Sequence, residues 1–318
     1  MAGDLARDIY GATPEGDFGI RYQVELLRKH GLKGVFFIEA LMACELGIES
    51  LARIVDVVQS GGSEVQLHVH TEWFEKMSAP LLATRAYNIR ELCLEDQKLV
   101  IERALENLQR AGAENVIADR AGNFGADFQT LRALRACGIR FDSSYNYCYL
   151  DKGCGLDLGP MLVQPAEIEG VLEYPVSCYR DYPGHYRPAQ LCAISSREMQ
   201  AAMAAARDAG WHNFVIVSHS FEMLRDRKQA LPFGQPDRAV IARFEEMCLH
   251  LETHSDRFET VGFLDLPDEL SQAPKAPLQP ALVPSAARTA GRMFSQALRR
   301  LPRQQEDQVR RALQRVGL

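Results

Sequence analysis

Short apolar runs alternate along the chain with longer segments whose apolar residues recur every three to four positions. The longer segments predict amphipathic helices, and the first of them, residues 20–30, ends before Gly31, which suits a helix C-terminus. The apolar runs predict six short strands: KGVFFIEA, EVQLHVH, NVIADRAG, IRFDSSY, NFVIVSHS and FETVGFLDL. Short apolar strands that alternate with amphipathic helices are typical of parallel βαβ units. The pattern therefore predicts an α/β fold.

Three stretches depart from this alternation. Residues 145–186 are rich in glycine, proline, tyrosine and cysteine, and we expect loops and short antiparallel strands there, over one end of the sheet. Residues 271–287 contain four prolines and little apolar periodicity, which predicts a linker. Residues 288–318 predict two arginine-rich helical pieces, either a solvated, loosely docked tail or a contact for a membrane surface or partner. The main domain is therefore predicted to span residues 1–270.

Composition and charge limit the classes of function. The 318 residues are 47% hydrophobic, enough for a large buried core. Residues 285–318 hold eight arginines and two acidic residues, a charge of +6, so the total of −6 leaves −12 on the residues before them. Such an acidic body argues against nucleic acid as the main partner, because phosphates require a basic surface.

The same composition predicts a cytoplasmic protein. No apolar stretch approaches the roughly 18 residues needed to span a bilayer, and no charged-then-apolar leader follows Met1. The eight cysteines are scattered without a CxxC pair, and most lie inside apolar patterns, which predicts free, buried thiols in a reducing compartment.

Polar residues follow the ends of four predicted strands. EVQLHVH ends in His68 and His70, with Glu72 just beyond, and the later strands deliver Asp119, Arg120, Asn123, Asp142, Ser143, Ser218, His219 and Ser220. In parallel α/β folds the site forms at the carboxyl ends of the strands. Burying such groups is costly unless they are paired or bound to a metal. The sequence therefore predicts a functional cleft there.

The two histidines of EVQLHVH have two interpretations. Side chains alternate along a strand, so His68 and His70 share one face. Both imidazoles can then reach one metal ion, or both can lie in a hydrogen-bonded polar layer. Histidines near carboxylates suit a divalent metal, zinc above all, which turns bound water into a nucleophile near neutral pH. Arg120 is likewise either a buried ion-pair partner of Asp142 or a residue that orients a catalytic group.

The order of these motifs resembles that of the polysaccharide deacetylase family, the carbohydrate esterases with a NodB homology domain. The resemblance covers residues 16–266. GSEVQLHVHTEW resembles the family's histidine motif, DRAGNFG its arginine motif and FVIVSHSFEM its late histidine motif. The resemblance implies an irregular (β/α) barrel that removes an acetyl group from an N-acetylated sugar or related amide.

The resemblance also implies roles for single residues. His68 would bind the metal, Arg120 would orient the catalytic base, and His219 would protonate the leaving amine, while metal-bound water attacks the carbonyl. Residues that follow the strand ends are expected to contact the carbohydrate or small amide substrate: Asn123, Asp142 and Tyr145.

Two departures from the family's pattern change these expectations. The family's second metal-binding histidine lies four residues after the first, where this chain has Glu72, so His70 or Glu72 is expected to replace it. The family's first strand, which carries the catalytic base and a metal-binding carboxylate, is not found in the sequence. The chain is then either an N-terminally shortened version of a longer protein, or it supplies the carboxylate from MAGDLARDIYGATPEGDFGI. The candidates there are Asp4, Asp8, Glu15 and, best placed of these, Asp17.

Three functions are compatible with this sequence. The first is a metal-dependent deacetylase, or more broadly a hydrolase of C–N amide bonds. The second is a catalytically inactive barrel that binds a saccharide or assists polysaccharide assembly. The third is a structural metal-binding or regulatory protein whose basic tail makes the working contact. The sequence leaves the substrate and the oligomeric state open.

Overall fold

A computed structural model of the protein describes residues 5–79, 81–150, 152–225, 234–267, 281–282, 286–299, 305 and 308–309. Its strands are β1 (Ala12–Thr13), β2 (Gly16–Asp17), β3 (Val35–Glu39), β4 (Glu64–Val69), β5 (Ala118–Ala121), β6 (Phe141–Asp142), β7 (Ala166–Ile168), β8 (Val171–Glu173), β9 (Cys178–Tyr182), β10 (His185–Pro188), β11 (Leu224–Arg225), β12 (Gln235–Pro236) and β13 (Ala281–Leu282).

The α-helices are α1 (Ile20–Lys29), α2 (Ala43–Leu46), α3 (Ile48–Ser60), α4 (Leu94–Arg110), α5 (Phe128–Ala136), α6 (Ser196–Asp208), α7 (Arg238–Thr253) and α8 (Ala286–Arg299). A π-helical turn covers Leu5–Ile9, and short 3₁₀ turns cover Thr71–Glu75, Ile89–Glu91, Gly122–Phe124, Tyr147–Tyr149, Ser220–Met223 and Phe263–Asp265.

The central sheet has the strand order β3-β4-β5-β6-β8-β7. Strands β3 to β6 and β8 are parallel, and β7 returns antiparallel against β8. The predicted α/β fold with a parallel sheet is confirmed for the first four strands, each of which follows a helix. Closure of the sheet into a barrel is not seen within the described residues.

The last two predicted strands are wrong. In NFVIVSHS only Val217 forms a bridge, to Gln190, and FETVGFLDL forms no strand but contains the turn Phe263–Asp265. The carboxylate of Glu64 accepts the backbone N–H groups of Phe263 and Leu264, at 2.9 and 3.0 Å, in place of a strand partner. A strand is stabilised by hydrogen-bonded neighbours, and the described residues offer these segments too few.

The two faces of the sheet bury different kinds of residue. On β4, Val65, Leu67 and Val69 pack in the main hydrophobic core, whereas the alternate positions carry polar side chains such as His68. The opposite, inner face holds a smaller cluster of aromatic rings in edge-on and tilted contacts: Phe37, Phe141, Tyr174 and Phe263. The inner face is therefore where polar groups meet a cavity.

The middle of the chain forms short strands, as predicted. Strands β9 and β10 make an antiparallel hairpin, and β13, which falls within the predicted linker, adds to β9 in parallel. The arginine-rich helix α8 is not loosely docked: Arg292 is buried and donates to Asp181 and Glu198, at 2.9 and 3.0 Å. Most of the predicted tail beyond α8 lies outside the described residues, as does Asp4.

The described part of the chain bears on the predictions about membrane-spanning segments and cysteines. Its helices include none that combines the length and the apolar character needed to cross a membrane. The cysteines are free in the structure, but the prediction that they are buried holds for three of the eight: Cys154, Cys178 and Cys248. Cys44 and Cys93 are exposed.

Candidate functional site

A cavity of about 1290 Å³ lies against the inner face of the sheet. Its walls come from β3, the end of β4, β5, the turn Leu5–Ile9 and the extended residues 213–221. The lining includes seven polar residues that follow predicted strands: Glu39, His68, His70, Arg120, Ser218, His219 and Ser220. The structure therefore gathers the predicted histidines and arginine around one space.

His68 is held in one tautomer by the neighbouring strand. Its Nδ1 faces the backbone carbonyl oxygen of Arg120, and because a carbonyl only accepts, this nitrogen carries the proton. Burial and then the charge of His70 hold the pKa of His68 well below its usual range. His68 is therefore neutral at neutral pH, with a free lone pair on Nε2.

His70 and Glu72, the other two predicted metal ligands, form an ion pair with each other. Nδ1 of His70 donates to Oε2 of Glu72 at 2.6 Å. Burial acts to lower the pKa of His70, but the bond to Glu72 and the charges of Glu39 and Glu72 outweigh it and raise the pKa. The same bond lowers the pKa of Glu72. A protonated, paired imidazole has no lone pair for a metal.

Glu39 is a carboxyl group at the cavity that our sequence reasoning missed. It ends β3, and its two oxygens accept the backbone N–H groups of Leu41 and His70, at 2.8 and 2.6 Å. Burial raises the pKa of Glu39 to about 7, against these hydrogen bonds and the charge of His70. The strand KGVFFIEA carries a signal that could have found it, because a glutamate follows its apolar run as polar residues follow the others.

Arg120 lines the cavity and places a positive charge there. Its Nε and Nη2 donate to the carbonyl and hydroxyl oxygens of Ser143, at 3.0 and 2.8 Å, and its guanidinium lies 4.4 Å from the ring centre of Phe37. Burial lowers the pKa of Arg120 to about 10, so it stays charged at neutral pH. Because side chains alternate, Arg120 lies on the inner face of the sheet, beside His68, whereas Asp142 lies on the outer face, beside Asp119. The side-chain hydrogen bonds described for Arg120 go to Ser143 and not to Asp142.

His219 is oriented by a second residue that sequence reasoning missed. Nδ1 of His219 lies 2.8 Å from Oε1 of Glu222, and Nε2 of Gln190 donates to the same oxygen at 2.5 Å. The His219 ring stacks on Phe221, with ring centres 4.7 Å apart. Burial acts to raise the pKa of Glu222, but the bond to His219 and the charge of that ring outweigh it and lower the pKa. Glu222 follows His219 by three residues, which is about one helical turn. This spacing is the sequence signal that could have identified Glu222.

Several predicted site residues do not reach the cavity. Asp17 is exposed on the β1–β2 hairpin, opposite Ala12. Asp142 and Tyr145 are 0% and 1% exposed, so the structure does not place them where a substrate could touch them. Asn123 is outside the cavity lining and its amide lies 3.5 Å from Glu72. Of the acidic residues considered in the N-terminal segment, Asp8 lines the cavity.

Asp142 belongs instead to a buried carboxyl cluster on the outer face of the sheet, with Asp119 and Glu173 on the flanking strands. Asp142 accepts from the hydroxyl and backbone N–H of Ser144, at 2.7 and 3.1 Å, and Glu173 accepts from the backbone N–H of Tyr145 at 3.0 Å. Burial, then the charge of Asp142, then the hydrogen bond between the two carboxyls raise the pKa of Glu173. The raised pKa favours the protonated form of Glu173, which is the form that can donate to Asp142.

Glu173→Gln is expected to reduce the loss of stability with rising pH. A carboxyl whose pKa is raised in the folded state stabilises the fold below its unfolded pKa of about 4.3, and this contribution is lost as pH rises through the folded pKa. A glutamine amide donates to Asp142 at every pH and still accepts from Tyr145. Urea unfolding at pH 5 and pH 8 should give a smaller difference for the variant than for wild type. Equal differences would contradict the shared proton, and Glu167→Gln, exposed on β7, serves as the control.

The cavity residues do not form a complete metal site. Within the described residues, no group of three histidine, cysteine or acidic side chains is arranged to hold a metal ion. His68 offers one nitrogen, His70 and Glu72 are paired with each other, and Glu39 binds backbone N–H groups. A catalytic zinc usually takes three protein ligands. In this arrangement the side chains do not supply the three ligands that the predicted zinc needs.

No protein-family model matches the chain, and no match is found among curated proteins. One similar solved structure is a protein assigned as a polysaccharide deacetylase from Mycobacterium smegmatis, with 16% identity, a TM-score of 0.49, and coverage of 76% of this chain and 73% of that one. Another is a family 4 carbohydrate esterase from Streptomyces lividans in complex with acetate, with 11% identity, a TM-score of 0.38, and coverage of 75% and 82%. Both TM-scores lie below 0.5, so these likenesses decide neither fold nor activity.

Proposed function

We propose that the protein removes an acetyl group from an N-acetylated sugar or a related amide by hydrolysis of the C–N bond. The reaction would take place in this cavity. The observation that carries the proposal is the convergence of His219, Arg120 and Glu39 on one cavity, from three separate segments of the chain. An acid, a base and a fixed positive charge are the groups that amide hydrolysis needs. The order of the histidine and arginine motifs, which resembles that of polysaccharide deacetylases, supports the choice of an acetamide.

Glu39 and His219 divide the proton transfers between them. Glu39, with a pKa near 7, takes a proton from water as the water oxygen attacks the acetyl carbonyl. The guanidinium of Arg120 stabilises the negative charge that develops on the carbonyl oxygen. His219, oriented by Glu222, donates its Nε2 proton to the leaving nitrogen as the C–N bond breaks. The products are an amine and acetate, and the proton on Glu39 returns to solvent or to His219.

The predicted divalent metal, zinc in the sequence-based hypothesis, stays a prediction. Because the side chains as placed do not complete a ligand set, the mechanism above contains no step through a metal. The sequence-based hypothesis predicts that EDTA abolishes acetate release and that Zn²⁺ restores it. Elemental analysis of the purified protein and of the His68→Ala, His70→Ala double variant tests the same hypothesis, since stoichiometric metal should be lost only in the variant.

A second function is a catalytically inactive protein that binds saccharide. Two observations favour this alternative: the described residues include no complete metal ligand set, and Asp17 lies outside the cavity lining. Saccharide binding without acetate release, with and without added Zn²⁺, would establish it.

Acetate release from N-acetylglucosamine oligomers tests the proposed hydrolysis. Glu39→Gln is expected to lower kcat by roughly 10²- to 10⁴-fold, because the amide cannot take the proton from water. Asp17→Asn, which changes the exposed carboxylate predicted from the sequence, is expected to leave kcat unchanged. The opposite ranking of the two variants would show that the base is Asp17.

A further inference from the structure

Two of the eight cysteines lie in contact in the middle of the chain. Cys148 lies in the turn Tyr147–Tyr149, and Cys178 begins β9. The backbone N–H of Val176 donates to the carbonyl oxygen of Tyr145 at 2.9 Å, which brings the two segments together. The thiols of Cys148 and Cys178 are hydrogen-bonded to each other. A disulfide needs two cysteine side chains that point toward each other, and this pair meets that condition.

The surrounding structure holds both cysteines in place. The side chain of Asn146 accepts the backbone N–H of Cys148 at 3.2 Å. The ring of Tyr147 packs edge-on against that of Tyr186 on β10, with ring centres 5.4 Å apart. Cys178 belongs to the antiparallel hairpin of β9 and β10. The turn that carries Cys148 is therefore packed against the same hairpin that carries Cys178.

The two thiols differ in exposure and in acidity. Cys178 is 2% exposed, whereas Cys148 is half-buried. The hydrogen bond from Cys178, and after it the charges of Lys152 and Arg187, lower the pKa of Cys148 against the effect of burial. The same hydrogen bond, and then burial, raise the pKa of Cys178. Because the thiolate is the nucleophile in thiol–disulfide exchange, Cys148 is the sulfur that attacks first.

We propose that Cys148 and Cys178 form a redox site, which a low-molecular-weight disulfide oxidises to an intramolecular disulfide. The Cys148 thiolate attacks one sulfur of the small disulfide, forms a mixed disulfide with it and releases the other half as a thiolate. Cys178 then loses its proton to solvent and attacks the Cys148 sulfur, which releases the second half. The protein gives up two protons and two electrons, and the small disulfide is reduced to two thiols. The inference does not depend on the hydrolysis proposed above.

Oxidised glutathione tests the proposal on the full-length protein. After oxidation, and after iodoacetamide has blocked the remaining thiols, peptide mass spectrometry should find two peptides joined through Cys148 and Cys178. Dithiothreitol should remove the link and restore eight free thiols. Cys44 and Cys93 are exposed and are expected to give glutathione adducts only. A glutathione adduct that stays on Cys148 in wild type, without a link to Cys178, would overturn the proposal.

Two serine variants test the order of the two steps. Cys178→Ser lacks the second sulfur, so the glutathione adduct on Cys148 should accumulate instead of the link. Cys148→Ser lacks the attacking sulfur, so the buried Cys178 should stay reduced over the same time. Cys44→Ser, the matched control, should form the same link as wild type. Oxidation of Cys178 in Cys148→Ser as fast as in wild type would contradict the assigned order, and the wild-type mapping decides the question where a variant does not fold.

Discussion

Replacement of His219 by alanine is expected to lower the rate of acetate release by roughly 10²- to 10⁴-fold, the range over which a positioned acid or base accelerates a reaction. Nδ1 of His219 is held by Glu222, which leaves Nε2 as the nitrogen that exchanges protons at the cavity. Without the imidazole the leaving amine would depart as an anion, which is a far poorer leaving group. The measurement is kcat for an N-acetylglucosamine oligomer.

The Glu222→Gln variant separates positioning from proton transfer. Gln190 fixes Glu222 from the other side, so the carboxylate sets the orientation of the His219 ring. A glutamine keeps an oxygen near Nδ1 but removes the negative charge that faces the ring, so kcat should fall while KM for the oligomer stays the same. Equal kcat for the variant and wild type would contradict this positioning role.

A histidine outside the cavity lining, His254, serves as the control for His219→Ala. His254, at the end of α7, bonds to the backbone of His250, and His254→Ala is expected to leave kcat unchanged. Equal activity of His219→Ala and wild type would contradict the proposed acid. Acetate release that falls equally in both histidine variants would point to damage of the fold instead.

Replacement of Arg292 by alanine is expected to lower the free energy of unfolding by about 3–5 kcal/mol, the usual cost of breaking a buried ion pair from one side. Its guanidinium is 2% exposed and bridges Asp181 on β9 and Glu198 on α6. Alanine would leave both buried carboxylates without this partner. Asp181 keeps its ion pairs with His185 and Arg187, whereas Glu198 keeps hydrogen bonds from the neutral Ser195, so the larger penalty is expected at Glu198.

Chemical denaturation followed by circular dichroism measures this effect. Met293, the next residue of α8, is 59% exposed, and Met293→Ala is expected to stay within about 0.5 kcal/mol of wild type. A cost for Arg292→Ala no larger than that of Met293→Ala would show that α8 is the loosely docked helix that its composition first indicated.

The first four strands were predictable because their signals are local. Each short apolar run between amphipathic helices has its own periodicity, and β3 to β6 lie inside the predicted runs. NFVIVSHS and FETVGFLDL have the same local signal, yet they do not form strands of the sheet. Strand formation depends on a partner as well as on the segment itself, and within the described residues β3, at the edge of the sheet, pairs with β4 alone.

The site was predictable only in part, for a related reason. His68, Arg120 and His219 followed from the rule that polar groups at the carboxyl ends of strands meet at one edge. Asp142 also follows a strand end, but its side chain lies on the opposite face of the sheet. Its register against β5 places it beside Asp119, on the face away from the cavity. Glu222 was missed because its role depends on the turn that brings it back to His219.

The sequence by itself determined the alternation of helices and strands, the acidic body with its arginine-rich end, and the identity of the histidines and arginine at the cavity. Only the tertiary structure decided which strands pair, that Glu39 lines the cavity, that His70 and Glu72 neutralise each other, and that Arg292 anchors α8. The first set depends on neighbours within a few residues along the chain. The second depends on pairing and burial between distant segments, where register and desolvation select one arrangement among many.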